Sequence, residues 1–135
     1  MSIDWQNKII TVSAAIILNT KNEILVARKK GTNFYMQIGG KLEKDETPET
    51  SLIREIKEEI GLDAQITHYY GCFNTQAANE ENFKLKAYLF LVETFGNAQA
   101  CAELEDLKWI DCYNSQELPL APLTEKIVLP IIQNL

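Results

Sequence analysis

Residues 40–62 read GKLEKDETPETSLIREIKEEIGL, and this stretch decides the fold. Its second half is built as a helix. Thr47 is a good N-cap, because its hydroxyl can accept a backbone N–H from the first turn. Pro48 suits the first helical position, and Glu49 suits the positive end of the helix dipole. Gly61 follows the last periodic residue, where a left-handed C-cap is expected. Leu52, Ile53, Ile56 and Ile60 fall within about 100° of one face and are expected to form the core stripe.

A second face of this helix is acidic. Glu55, Glu58 and Glu59 share another arc of about 100°, beside the apolar stripe. Glu55 meets Glu58 at i,i+3 and Glu59 at i,i+4, and each such like-charge pair costs a few tenths of a kcal/mol. Helix stability gives no reason for them, and a bound divalent cation would reverse the sign of the cost. Carboxylates are hard oxygen ligands suited to Mg²⁺, Mn²⁺ or Ca²⁺. Taken alone, the glutamates would also suit a solvated acidic face. Their surroundings favour a site. Gly39-Gly40 is expected to enter a loop, Lys41 to Glu46, and a glycine pair lets backbone approach a ligand and offer it a carbonyl. Arg54 can hold a carboxylate such as Glu46 in a two-pronged fork that orients the acids.

Outward from this segment, the chain alternates strands and helices. Ile9 to Leu18 is apolar and β-rich, Asn19 to Asn22 is turn-like, and Glu23 to Arg28 reads as the return strand of a hairpin. Lys29 to Asn33 reads as a polar loop, followed by the short apolar run Phe34 to Ile38. Beyond the helix, Ala64 to Asn74, Phe83 to Thr94 and Asp106 to Asp111 read as strands, with a polar loop from Thr75 to Asn82. A final helix should start near Pro122, and Pro130 should kink or end it. Strands, helix, strands, helix imply an α/β class: one compact domain over residues 1–135, with a mixed sheet covered by helices.

The bulk numbers narrow the function. A length of 135 residues suits one domain with a real core. No apolar run approaches the length of a membrane span, and the first residues lack the pattern of a signal peptide, so the expected location is the cytoplasm and no membrane partner is expected. A net charge of −6 argues against a nucleic acid polymer as partner, while leaving room for small phosphorylated ligands. Cys72, Cys101 and Cys112 form no Cys-x-x-Cys pair, and His68 stands alone, so neither zinc nor a disulfide framework is expected.

Gly40, Glu46, Arg54, Glu55, Ile56, Glu58, Glu59, Gly61 and Leu62 match, at every specified position, the box G-x5-E-x7-R-E-U-x-E-E-x-G-U, where U is bulky and aliphatic. A chance match is on the order of 10⁻⁸ per chain. The chain therefore resembles the Nudix hydrolases, and MutT-like members in particular. The resemblance implies the Nudix fold, an α/β/α sandwich around a mixed β-sheet. It implies a pyrophosphohydrolase that uses Mg²⁺, or Mn²⁺ in its place. Glu55, Glu58 and Glu59 match the family's metal ligands, often joined by the carbonyl at the position of Gly39, while Arg54 and Glu46 match the orienting positions. A further acid from a loop across the cleft often joins the metal or acts as base, and Glu103, six residues before Trp109, is the first choice here. An arginine at the position of Arg28 often contacts substrate phosphate, and Lys29, Lys30 and Lys41 would complete a basic rim. Many relatives have Pro before the glycine pair, where this chain has Ile38.

The box reports chemistry rather than substrate. No Pro lies between Gly61 and Pro119, where ADP-ribose hydrolases tend to carry one, and Ala77 to Glu80 lacks the Tyr of diadenosine polyphosphate hydrolases. What remains favours a nucleoside di- or triphosphate derivative, with a (deoxy)nucleoside triphosphate first. The purine-reading Asn of the oxidised-dGTP enzyme has no match in Leu118 to Pro122. Phe34, Tyr35 and Phe83 are the candidates for stacking on a base. The competing readings are a non-catalytic nucleotide-sensing module, a hydrolase of nucleotide sugars, and an acidic Ca²⁺-binding protein. The first usually loses box glutamates, and the last lacks EF-hand spacing. Homodimers are frequent in the family and compatible with this chain.

Overall fold

The computed structural model of the chain describes residues 2–114 and 117–135. Its elements are β1 (Ile3–Asp4), β2 (Ile9–Ile16), β3 (Glu23–Lys29), β4 (Ile38–Lys41), α1 (Pro48–Ile60), β5 (Asp63–Gln76), β6 (Lys84–Phe95), β7 (Leu104–Asp111) and α2 (Leu129–Gln133). The main sheet runs β1-β2-β6-β5, and β4 shares the outer edge of β2 with β1. β2 and β6 pair in parallel and the other pairs are antiparallel, so the sheet is mixed as expected.

The expected hairpin is corrected. β3 is not the hairpin partner of β2. The turn Asn19 to Asn22 does reverse the chain, and a Leu18–Ile24 bridge and a bond from the Leu25 N–H to the Ile17 carbonyl hold its base. β3 then leaves the main sheet and pairs with β7 in a separate two-stranded ribbon. The edge of β2 that β3 would have taken is occupied by β4, in register Ala14–Gly39 and Ser13–Gly40. Gly39-Gly40 is accordingly strand rather than loop entry, and the loop starts after Lys41.

Side-chain alternation along β2 divides the core. Ala14 and Ile16 pack with Val26, Leu89, Val128 and Leu129 on the side of the C-terminal helix. Ala15 and Ile17 pack with Leu25, Leu52, Ile56 and Ile60 on the side of α1. This is the α/β/α sandwich, with both faces of the central strands dry.

Helix α1 is capped as its sequence demands. The Thr50 N–H donates to Thr47 Oγ1 at 3.2 Å, and Gly61 adopts a left-handed conformation (φ 74°) with its N–H on the Lys57 carbonyl. Its buried face is rotated from the expected stripe: Ser51, Leu52, Ile56, Glu59 and Ile60 are buried, while Ile53 is 37% exposed. The sheet covers α1 from the glutamate side, and Ile53 stands at the opposite margin of the apolar arc. The C-terminal helix absorbs Pro130 by a wide turn. Thr124–Val128 is π-helical, with the Leu129 N–H reaching the Thr124 carbonyl, and the α-helix resumes at Leu129. A proline lacks its own N–H and crowds the carbonyl four residues back, which loosens the preceding turn.

Candidate active site

Strand β4 and helix α1 place the box residues against each other. The Gly39 N–H donates to Glu59 Oε1 at 3.1 Å. Gly40 lies so close to Glu55 that a Cβ there would stand 2.5 Å from Glu55 Cδ. The glycine pair is needed for space: a Cβ on Gly39 would meet the Ser13 carbonyl oxygen at 2.1 Å.

Arg54 organises the acids. Its Nε and Nη2 each donate to Glu46 at 2.8 Å, and Nη1 donates to Glu55 at 2.8 Å and to Glu58 at 3.2 Å. Arg54 beside Glu46, with help from the Glu43 N–H, holds the Glu46 carboxyl down at about 2. The same contacts, Glu46 first, push the guanidinium of Arg54 still higher. Burial acts the other way on the helix face. It raises the Glu55 carboxyl despite Arg54, and it pushes Glu59, only 7% exposed, up to about 7 despite the Gly39 N–H.

The glycine pair and the helix-face glutamates line one cleft of about 380 Å³, with Arg54 and Glu46 behind them. Glu55, Glu58 and Glu59 form one wall, and Glu103, Lys29 and Lys41 also face it. Glu103 reaches the cleft because its segment is moored to the end of α1. The Cys101 and Gln99 N–H groups donate to the Glu59 and Ile60 carbonyls, and the Glu103 carbonyl accepts from Lys30. Arg28 is directed elsewhere. Its Nη1 donates to the Thr32 carbonyl and its guanidinium lies 5.9 Å from the centre of the Tyr35 ring. A register shift between Arg28 and Lys29 turns Lys29 toward the cleft instead. None of the three aromatic candidates, Phe34, Tyr35 and Phe83, lines the cleft: Tyr35 is buried with its hydroxyl on Asp106 at 2.5 Å, and Phe83 packs edge-on against Trp5. Gln37 was not visible as a cleft residue from sequence; it is buried there because Ala15 and Thr124 satisfy its amide.

The donor set suits a hard divalent cation. It is all oxygen, two of its carboxylates are desolvated side by side, and Gly40 leaves them room. Among the described residues, no three such side chains are already gathered at metal-binding distance. Nη1 of Arg54 holds Glu55 and Glu58, and Gly39 holds Glu59.

A model of the NUDIX domain matches residues 8–129. The chain belongs to the Nudix family. This Nudix protein is 25% identical over 125 residues to the 8-oxo-dGTP diphosphatase of Escherichia coli, covering 90% of this chain and 95% of that one. It is 28% identical over 119 residues to the CTP pyrophosphohydrolase of the same organism, covering 85% of each. A shorter match, 46% identical over 48 residues, spans 36% of this chain and 30% of the RNA pyrophosphohydrolase of a Marinomonas species. Among solved structures, the Escherichia coli ORF135 protein superposes with a TM-score of 0.68 at 26% identity, covering 95% of this chain and 89% of that one. A MutT NUDIX hydrolase from Burkholderia pseudomallei superposes with a TM-score of 0.73 at 20% identity, covering 93% and 96%, which supports the fold. The protein is a MutT-like Nudix hydrolase of phosphoric anhydride bonds, in a family that acts on nucleotide diphosphate derivatives. Among the described residues, no helix is long and apolar enough to cross a membrane.

Proposed function

We propose that this Nudix hydrolase splits a (deoxy)nucleoside triphosphate into the monophosphate and pyrophosphate with Mg²⁺, Mn²⁺ serving in its place. The observation that carries the reading is the convergence of Glu55 and Glu59 on Gly39-Gly40 in a cleft also faced by Glu103, Lys29 and Lys41. Whole-length similarity to two enzymes named for nucleoside triphosphates supports it. Glu55, Glu58 and Glu59 would hold the cation, with the Gly39 carbonyl and Glu103 as further oxygen donors. When bound, the cation would neutralise the diphosphate oxygens and lower the pKa of a coordinated water.

The chain's own groups do the rest. Arg54, anchored on Glu46, fixes the direction of Glu55. Lys41 and Lys29 offer positive charge to the phosphates at the rim of an otherwise acidic cleft. A carboxylate oxygen takes the proton of the attacking water, and Glu55 and Glu103 are the two candidates for this base. The water oxygen bonds to phosphorus as the bridging P–O bond breaks, and pyrophosphate leaves with the electron pair.

The test is pyrophosphate release from nucleoside triphosphates with and without Mg²⁺, for the native chain, Glu59→Gln and Glu103→Gln. The expected result is Mg²⁺-dependent release that Glu59→Gln abolishes. Full activity in Glu59→Gln would remove the proposed site, whereas full activity in Glu103→Gln would remove only that residue's role.

A further inference from the structure

We propose that Ser13 is a positioning residue for Glu55: its hydroxyl donates a hydrogen bond to the Glu55 carboxylate when that carboxylate turns from Arg54 to hold a cation. The proposal rests on the reading of Glu55 as a cation ligand and adds a second holder for it. Ser13 is fully buried on β2, and its Oγ has no hydrogen-bond partner among the described residues. Ala15 and Ile17, two and four residues further on, pack on the side of α1, so strand alternation directs Ser13 to the same side. Across the antiparallel pair its partner is Gly40. Side chains of directly opposed residues share a face, with Cβ positions about 5 Å apart. The Cβ that Gly40 lacks would lie 2.5 Å from Glu55 Cδ and 2.6 and 2.9 Å from the two carboxylate oxygens. The space left by Gly40 therefore lies between the Ser13 hydroxyl and the Glu55 carboxylate, and rotation of the Glu55 side chain can close it. Both residues line the cleft.

The fold gives no reason for a hydroxyl at this place. A buried hydroxyl without a partner costs free energy, whereas an apolar group of similar shape is neutral or better. Alanines follow it at 14 and 15 on the same strand. Ser51, the other buried hydroxyl of this kind, is accounted for by Glu46, whose carboxyl it helps to lower. Glu55 supplies the reason for Ser13. Its side chain is only 15% exposed, and it accepts from Arg54 Nη1, a single nitrogen that also serves Glu58. A cation that draws both carboxylates inward leaves that nitrogen unable to follow both. A carboxylate has lone pairs for a cation and for a donor at the same time. A hydroxyl fills the second place with no charge of its own. It can therefore fix the direction of Glu55 without repelling the metal, which a lysine or arginine in its place would do.

The experiment titrates Mn²⁺ into the substrate-free full chain and follows the free ion by electron paramagnetic resonance, for the native chain, Ser13→Ala, Glu55→Gln and the double variant. Urea unfolding of the metal-free native chain and of Ser13→Ala runs beside it. Ser13→Ala should weaken Mn²⁺ binding by about 10-fold or more, the usual effect of losing a group that orients a metal ligand. The same change in the Glu55→Gln background should have an effect of about twofold or less, because the hydroxyl acts through that carboxylate. Metal-free Ser13→Ala should be at least as stable as the native chain. Native Mn²⁺ affinity in Ser13→Ala, with Glu55→Gln weakened, would overturn the proposal and leave the cation reading intact. An equal loss in the two backgrounds would place the hydroxyl on some other group and overturn it too. So would a metal-free Ser13→Ala less stable than the native chain, since the hydroxyl would then already serve the fold. Native affinity in Glu55→Gln, or no Mn²⁺ binding by the native chain, would overturn the cation reading and the proposal together.

Discussion

Arg54 grips Glu46 with both prongs of its guanidinium, Nε on Oε2 and Nη2 on Oε1, each at 2.8 Å. The remaining nitrogen is thereby aimed at Glu55 and Glu58. Lysine carries one point of charge and cannot reproduce the fork. Arg54→Lys should lower kcat/KM by about 10–100-fold, the usual cost of losing a group that orients ligands, with little change in the far-UV spectrum. Steady-state kinetics against Mg²⁺ concentration would check it, and native kinetics in the variant would refute the orienting role.

The same fork has a pH signature. Glu46 titrates near 2 in the folded chain and near its ordinary 4.5 when unfolded. A carboxyl lowered in this way adds stability that is fully present above pH 4.5 and is lost as the pH falls through about 2. Glu46→Gln lacks that contribution. The gap in Tm between native chain and variant should therefore be widest near neutrality and close between pH 4.5 and 2. A gap unchanged at pH 2 would show that ionisation is not its source.

Adjacent glycines should fail differently. In Gly40→Ala the new methyl meets the end of the Glu55 side chain, which can shift, so the fold should survive while turnover drops by about 100-fold or more. In Gly39→Ala the methyl meets the Ser13 backbone, which cannot, and φ is already +151°. That variant should lose about 3 kcal/mol or more of stability. Urea unfolding and kinetics on both variants would separate the two outcomes.

Lys29 and Arg28, one residue apart, should also separate. Lys29→Ala removes a cleft-facing charge and should raise KM several-fold with kcat nearly unchanged. Arg28→Ala should leave KM alone and cost about 1 kcal/mol, through the Thr32 bond and the Tyr35 contact. A KM effect confined to Arg28→Ala would reverse the assignment.

Cys112 is buried, and burial pushes its thiol up to about 11, while Cys72 is exposed. At pH 8 an aromatic disulfide reagent should modify Cys72 rapidly and Cys112 only in step with unfolding. Mass spectrometry along a urea titration would show the order.

Local features were the legible ones. The caps at Thr47 and Gly61, the acid spacing and the partners of Arg54 all lie within one short segment, where spacing and geometry are nearly the same statement. Long-range choices were not. Nothing local to Glu23–Lys29 says that β4 will take the edge of β2 and leave β3 to β7. The exposure of Ile53 depends on the side from which the sheet meets α1. The exchange of Arg28 for Lys29 follows from a bulge against β7, a partner more than 70 residues away. Pro130 announced a disturbance, and the wide turn at Thr124–Val128 is the form it took.

The mooring of Gln99 and Cys101 on the last carbonyls of α1 has a consequence for how the site comes apart. Those carbonyls belong to Ile60 and to Glu59 itself, so the final turn of the helix and the approach to Glu103 open or close as one cooperative unit. Amide hydrogens at Gln99, Cys101 and Gly61 should exchange together. Loosening the αL cap at Gly61 would then reach the far wall of the cleft without any change in the residues that line it.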